Sequence, residues 1–538
     1  MSLRSSSSSS SLAQCPVLSA PVDNQDVHKK DDGETDDDII AELGYVVVYR
    51  RVFRSLGNMC MVLALTSPLS AILITASYQI RYAGYWGLSW GWMIPNVLML
   101  PEVLAIAELA SSMPVNGSFY WWAGALAPPA WSHAVSFITG WMNVMTMFAS
   151  TASFAYAVAS SLSYGVTIAL PDLIWTNAQV MALSLAVVLI WSAMMTLRLE
   201  RIAFVYITMA VLILVQALML ILGLPITHAI QHRPFASAQA VFGEYSNASD
   251  WGPAVAVPYS WFGALWVNSA WMVPVYVSEE TQHASQEIPK SLFYTFAATA
   301  ASGLVVCLLF AFCIPDMAAV AADPSGYPLF TIVFDHLGTA ASLTLFSMVV
   351  PVGFISGSGT LLTYASQIAA FARDGGVPWP ERMASVHPRL NLPLHALGLL
   401  ATGTGLVLLI ALSPTASAII YSLSVVASLV TFLIPIGFRL GAGNRWVPGP
   451  WSLGRWSLPI HAVAVVTQLY LITMECFPPE RAWTAGTFNY NFALTVGAFL
   501  VAGGFYGGMG RKTYRGLDME ALEAWRRRHH ADRAGHPG

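Results

Sequence analysis

About twelve apolar stretches of roughly 20 residues each run from Arg54 to Gly510, and a helix needs about that many residues to cross a hydrocarbon core ~30 Å thick. Lipid offers no partner to an unpaired backbone amide, so each stretch must close its own hydrogen bonds as a helix. The expected fold class is therefore all-α and polytopic, with the lipid bilayer as the chain's first partner. Of the 538 residues 56% are hydrophobic and 10% charged, against about 25% charged in a typical soluble domain. A chain so poor in charge is not expected to take nucleic acid as a partner.

The pattern predicts spans at 55–80, 86–110, 132–162, 177–198, 202–224, 254–277, 291–314, 338–371, 394–413, 416–440, 457–478 and 486–508. Together they make a membrane domain over 49–510, between a tail at 1–48 and a basic tail at 511–538. The first tail carries an unbroken serine run, Ser5 to Ser11, and an acidic stretch, Asp31 to Asp38. It cannot bury enough apolar surface to offset its ordering entropy, so it is expected to be disordered. It lacks the apolar core of a cleaved signal peptide. Of the 25 Lys and Arg, only Arg81, Arg233 and Arg481 fall in loops on the side away from the N-terminus. Basic residues collect on the cytoplasmic side, so both termini are expected there. Asn247-Ala248-Ser249 then lies in an outside loop as a glycosylation acceptor. His228 and His232 sit four apart with no third ligand in the pattern, and no metal site is expected.

Interrupted helices point to a site, because irregular backbone at membrane depth is tolerated only where it is buried in protein or lines a cavity. The first span carries Leu65-Thr66-Ser67-Pro68-Leu69-Ser70 near its middle. Proline removes an amide donor, and the hydroxyls of Thr66, Ser67 and Ser70 could re-satisfy freed groups or meet a ligand. The sixth span reads Trp266-Val267-Asn268-Ser269-Ala270-Trp271-Met272, followed by Pro274. Two disrupted spans five apart are what an inverted repeat produces. The third span offers Asn143, and the eighth Ser356, Ser358 and Thr360 within a Gly-rich stripe. That stripe suits close helix packing or Na⁺ coordination equally. Glu102 follows Pro101 inside the second span, where a charged carboxylate costs on the order of 2.5–3.5 kcal/mol. It is either a neutral, hydrogen-bonded structural carboxyl or a proton relay. Glu108 lies nearer the cytoplasmic face, where anchoring a loop is the simpler role.

Four motifs resemble those of the amino acid–polyamine–organocation superfamily, in its fungal amino acid/choline/GABA permease branch. Gly87-Leu88-Ser89-Trp90-Gly91-Trp92 opens the second span, and Ala107-Glu108-Leu109-Ala110-Ser111-Ser112-Met113-Pro114 closes it, running on to Tyr120-Trp121-Trp122. Gly140-Trp141-Met142-Asn143 with Thr151-Ala152-Ser153 lies in the third. Ser278-Glu279-Glu280 through Ile288-Pro289 follows the sixth, and Phe371-Ala372-Arg373-Asp374-Gly375-Gly376-Val377-Pro378 the eighth.

The resemblance implies a LeuT-type fold, with inverted repeats at 55–224 and 254–440 and peripheral helices over 457–508. It implies uptake of a small amine-bearing solute by alternating access, bound where the breaks at Thr66–Ser70 and Asn268–Trp271 meet. It further implies gating through Glu279, Glu280, Arg373 and Asp374. At the sixth-span break the branch commonly reads Gly-Gly-Phe/Tyr-Asp, whereas this chain has Ser269-Ala270-Trp271-Met272. The aromatic is kept as Trp271, but the glycine pair and the acidic residue are gone, so choline and polyamines fit poorly. The amine-bearing residue some relatives use for proton coupling has no equivalent, since 202–224 contains no Lys. Proton coupling is implied by analogy, with Na⁺ at the eighth-span hydroxyls as the alternative and no other cofactor. The plasma membrane is the expected location, ahead of the vacuolar membrane. A non-transporting nutrient sensor on the same fold is the rival reading. An enzyme is not expected, because no HExxH motif or paired intramembrane Asp is present.

Overall fold

The computed structural model describes residues 67–535, apart from 171, 196–198, 324, 389, 391 and 414. Helices dominate this stretch, and ten of them are long and apolar enough to cross a membrane. The first, α1 (Pro68–Ser112), has 45 residues, about twice what a bilayer accommodates. It is two arms joined at Gly84, whose φ of 59° and ψ of −131° lie outside the helical region. The Gln79 side-chain amide donates to the Gly87 carbonyl at 3.2 Å. In a straight helix those residues would stand about 12 Å apart, so the chain folds back sharply. Only glycine takes this backbone readily, and a β-carbon there would meet Ser246 Oγ at 2.0 Å.

A short helix α2 (Ser118–Leu126) leads into the third span, α3 (Ser132–Ala169), followed by α4 (Asn177–Met194) and α5 (Leu199–Ile230). A reciprocal cap starts α4: the Thr176 hydroxyl accepts from the Gln179 amide while the Gln179 side chain accepts from the Thr176 amide. After the connecting helix α6 (Ala238–Gly243), the sixth span is broken into α7 (Pro253–Tyr259), α8 (Phe262–Val267) and the 3₁₀ turns Asn268–Ala270 and Val273–Glu280. Then come α9 (Ala284–Cys313), the small α10 (Met317–Ala321), and α11 (Pro328–Arg373). The last bends at Gly338 (φ 75°), where Ser342 Oγ donates to the Val333 carbonyl nine residues back. A turn α12 (Pro380–Met383) precedes α13 (Leu394–Leu408), α14 (Ala416–Leu440), α15 (Ser457–Glu475) and α16 (Asn491–Phe505). Counting α1 as two spans and adding the broken segment to the ten gives the twelve expected from sequence.

Burial sorts these helices into core and periphery. The most apolar window of α14 is 89% buried, and that of the last span only 11%. The side chains α16 turns outward, Phe492, Leu500 and Val501 among them, therefore face lipid rather than protein. Beyond the last span, α17 (Arg511–Thr513) leads to α18 (Met519–Gly535). The 511–538 segment is thus not a plain tail. Leu522, Trp525 and Arg526 are buried, and the Arg526 guanidinium donates to the Ala125 carbonyl at the end of α2. Burial, with Arg445 nearby, pulls that guanidinium down to about 10.

Gly84→Val should cost about 1–3 kcal/mol, because a β-branched residue is forced to positive φ against Ser246. A lowered thermal midpoint of the detergent-solubilised protein is the expected reading; an unchanged midpoint would argue against the fold-back at this residue.

Candidate functional site

The described part of the first span begins at Ser67, within the segment where the sequence places an interruption. Ser67 stands in the left-handed region (φ 38°, ψ 62°), and Pro68 supplies the first helical residue, where a missing N–H costs nothing. Among the described residues no side-chain hydrogen bond caps this terminus. Ser67 Oγ donates to Ser70 Oγ at 3.3 Å, and Ser70 Oγ to Gln216 Oε1 of α5 at 3.2 Å. Thr66 lies outside the described residues.

The sixth span changes its winding where the polar residues stand. The 3₁₀ winding over Val273–Glu280 is itself interrupted at Val277 (φ −116°, ψ 26°), and 3₁₀ turns inside a span often mark a hinge. Without the glycine pair, the backbone stays wound in tight right-handed turns through Trp271 and Met272, in place of the open stretch expected at the break. Asn268 is wholly buried and donates to both the Ala264 carbonyl and Asn96 Oδ1 of α1. It thereby satisfies a carbonyl at the end of α8 and ties the break to the second arm of α1. The Ser269 hydroxyl donates back to the Trp266 carbonyl at 2.7 Å. Ala270 is buried, and the Trp271 indole packs on Phe432 of α14 with centroids 5.8 Å apart.

Around the break, Tyr276 donates its phenol to Asn143 Oδ1 of α3 at 2.8 Å, and its carbonyl accepts from Gln367 of α11. Phe119, Phe432 and Tyr364 complete an aromatic wall. Several polar atoms in this interior find no hydrogen-bond partner among the described residues: Trp271 Nε1, Asn268 Oδ1, Gln367 Oε1 and Gln216 Nε2. Unpaired buried polar groups are costly, so a cluster of them beside a broken span is where a polar ligand would be recognised.

At the end of the bundle rich in Arg, Glu279 and Arg373 come together, with Nη2 3.5 Å from Oε1. The same oxygen accepts from the Asn116 amide, and the Asn116 side chain accepts from the Glu279 amide. Asp374 takes the Tyr120 phenol at 2.9 Å, and its carbonyl accepts from the Arg515 amide. The C-terminal segment completes this closure. Tyr514 bonds Ser136 at 2.6 Å and packs on Phe137 and Phe371. The Glu280 side chain lies outside the described residues.

The two carboxyls of α1 differ. Glu108 is fully enclosed by the loop before α15, accepting from Ser452 Oγ, the Leu453 amide and Ser457 Oγ. It anchors that loop. Glu102 is buried with Gln468 of α15 as its polar neighbour. Neither carboxyl oxygen nor either polar atom of Gln468 closes a hydrogen bond among the described residues. In α11, Thr360 donates to the Ser356 carbonyl one turn back, and a β-carbon on Gly357 would meet the Trp191 ring at 2.1 Å. The stripe through Ser358 lets α11 and α4 pack closely. His228 turns its ring to His336, not to His232.

The sequence profile of the family described as Amino acid permease matches residues 58–499. The chain belongs to that family. It is a multi-pass membrane transporter. Its similarity extends to an uncharacterized amino-acid permease of Schizosaccharomyces pombe, 27% identical, covering 96% of this chain and 93% of the relative. The GABA-specific permease of Saccharomyces cerevisiae is 26% identical, covering 89% and 85%. Among solved structures, an Eremococcus coleocola manganese transporter superposes with TM-score 0.49 at 11% identity, over 90% of this chain and 98% of that one.

Sequence reasoning passed over several residues of this permease that join its breaks. Asn96, Gln216, Gln367 and Gln468 could have been found as amides inside apolar spans, a costly placement that calls for a partner. Asn116 and Tyr120 sit in and beside a loop and carry no such signal. A double-mutant cycle of Glu279→Gln and Arg373→Ala should show non-additivity on the order of 1 kcal/mol in thermal stability, modest because Arg373 is 32% exposed. Strict additivity would mean that the two side chains do not bear on one another.

Proposed function

We propose that this permease carries an amino acid or a related small nitrogenous solute by alternating access, driven by protons. The observation that carries this reading is the sixth span, whose winding tightens from Asn268 onward and which is lined with polar atoms that lack hydrogen-bond partners among the described residues. The helix start at Pro68 adds a free N-terminal turn, whose positive dipole end suits a carboxylate. Trp271, Asn143 and the amides of Asn268 and Gln367 then fix the rest of the solute. With Met272 where relatives have an acid, no counter-charge awaits a cationic head, which favours zwitterions.

Glu102 is the proton carrier in this reading. Protonated, its O–H donates to Gln468 Oε1 while its other oxygen accepts from Gln468 Nε2, so four buried atoms are paired at once. Deprotonated, it leaves the Gln468 carbonyl facing a carboxylate in a medium that screens poorly. The excess of Arg at the end bearing Arg373, Arg439 and Arg511 supports placing that end and both termini in the cytoplasm, and the plasma membrane is the location in this reading. The Glu279–Arg373 contact and the C-terminal clasp are then the inner gate.

Uptake of amino acids and GABA into proteoliposomes, at two pH values and with or without Na⁺, tests the class; binding without flux would mark a sensor instead. Trp271→Ala should raise KM at least tenfold, corresponding to about 1.4 kcal/mol of lost contact. Unchanged kinetics would move the pocket elsewhere. Glu102→Gln should remove acceleration by an inward proton gradient while solute counterflow persists. A gradient effect of normal size in that variant would exclude Glu102 as carrier.

A further inference from the structure

Outside the candidate site, the most constrained polar cluster lies at the opposite end of the bundle from the gate. His228, at the end of α5, and His336, just before the bend of α11, are both buried. Their rings lie nearly coplanar, 9° apart, with centroids separated by 5.0 Å. His228 Nδ1 is 2.8 Å from His336 Nε2, so the two imidazoles meet edge to edge through a direct hydrogen bond. At the outer nitrogens stand two backbone carbonyls. His336 Nδ1 is 2.8 Å from the Ile332 carbonyl, and His228 Nε2 is 3.2 Å from the Pro234 carbonyl.

Proton counting makes this arrangement informative. A carbonyl only accepts, so each outer nitrogen needs a proton, and the nitrogen pair between the rings needs a third. Two neutral imidazoles carry one proton each. The neutral pair is therefore one short, so one of the three contacts is left with lone pairs facing each other, and the longest, His228 Nε2 to the Pro234 carbonyl at 3.2 Å, is the one the geometry leaves unprotonated. A single added proton converts that repulsion into a hydrogen bond, and its charge is shared along a line of four polar groups. The charged groups bearing on His336 are Arg233, which opposes the added charge, and Asp335, which favours it. The Phe235 ring lies 4.4 Å from that of His228 and shields it from water.

We propose that His228 and His336 form a proton-binding site that takes one proton between them and thereby fastens the connection after α5 to the start of α11. The two elements already touch there, through Gln231 Nε2 to the His336 carbonyl at 2.9 Å. The added proton completes the contact on the Pro234 side. α5 belongs to the first set of five spans and α11 to the second, so, resting on the alternating access proposed above, the site joins elements of the two repeats that such a cycle would move relative to one another. Transport thus gains a response to pH that is separate from the coupling proton proposed for Glu102.

Selective ¹⁵N-histidine NMR of the full-length protein in nanodiscs tests this directly. Between about pH 8 and about pH 4, where imidazoles titrate, the nitrogens of both rings should shift together as one event. Replacing either residue, as His228→Gln or His336→Gln, should abolish the shared event at the other. Two independent titrations, or none in that range, would overturn the proposal. In transport, each variant should flatten the pH dependence of KM by on the order of fivefold, with uptake at about pH 8 preserved. An unaltered pH profile in both variants would also count against it. If neither variant folds, the wild-type spectrum decides alone. Glu102→Gln should leave the NMR event intact while removing gradient drive, so the two proton sites fail or survive separately.

Discussion

A peptide group at membrane depth has no water to bond, and this constraint shapes every part of the molecule. Where the chain is regular, helices meet it internally. Where the sixth span tightens, side chains take over: Asn268 serves the Ala264 carbonyl and Asn96, and Gln367 serves the Tyr276 carbonyl. These amides draw α1, α8 and α11 onto one polar seam inside an otherwise apolar bundle. The atoms left unpaired along it are the natural candidates for recognising a solute, because pairing them recovers a desolvation penalty already incurred on folding.

The closure at the Arg-rich end has a different character. The Glu279–Arg373 pair is one contact among many, and a partly exposed pair contributes little alone. Around it, Tyr120 reaches Asp374, the Arg515 amide reaches the Asp374 carbonyl, and Tyr514 wedges between Phe137 and Phe371. Gly375 stands at φ 82°, and a β-carbon there would meet the Thr513 carbonyl oxygen at 2.4 Å, so no larger residue could hold the position without shifting the segment. The C-terminal helix α18 pins the ensemble by burying Leu522 and Trp525. Moving any one of these elements disturbs the others, because each is held by contacts to its neighbours.

Span locations were legible because hydropathy and helix length are tied by bilayer thickness. The start of the expected eighth span coincides with Gly338, and the gap between the first and second contains Gly84; both are the bends of long helices. The helix start at Pro68 and the change of winding at Asn268–Met272 were legible as local chemistry. Their form was not. The break of the sixth span is a tightening into 3₁₀ turns, decided by packing of Trp271 on Phe432 and by the reach of Asn268. The sequence separated Glu102, deep in a span, from Glu108, a loop anchor six residues on, but it did not name the partners of either. Glu108 is enclosed by a loop more than 340 positions along the chain, while Glu102 meets a single amide of α15.

The sequence by itself determined the solvent, the secondary structure and the number of crossings, since lipid demands local hydrogen-bond closure and local closure is written in local residues. It also determined the family, through motifs that are contiguous in the chain. Only the tertiary structure decided which distant groups meet: His228 with His336, Asn143 with Tyr276, Glu279 with Arg373, and α18 with α2. Those pairings depend on how the helices cross and how far their ends reach, and helix packing is set by the summed shape of many side chains.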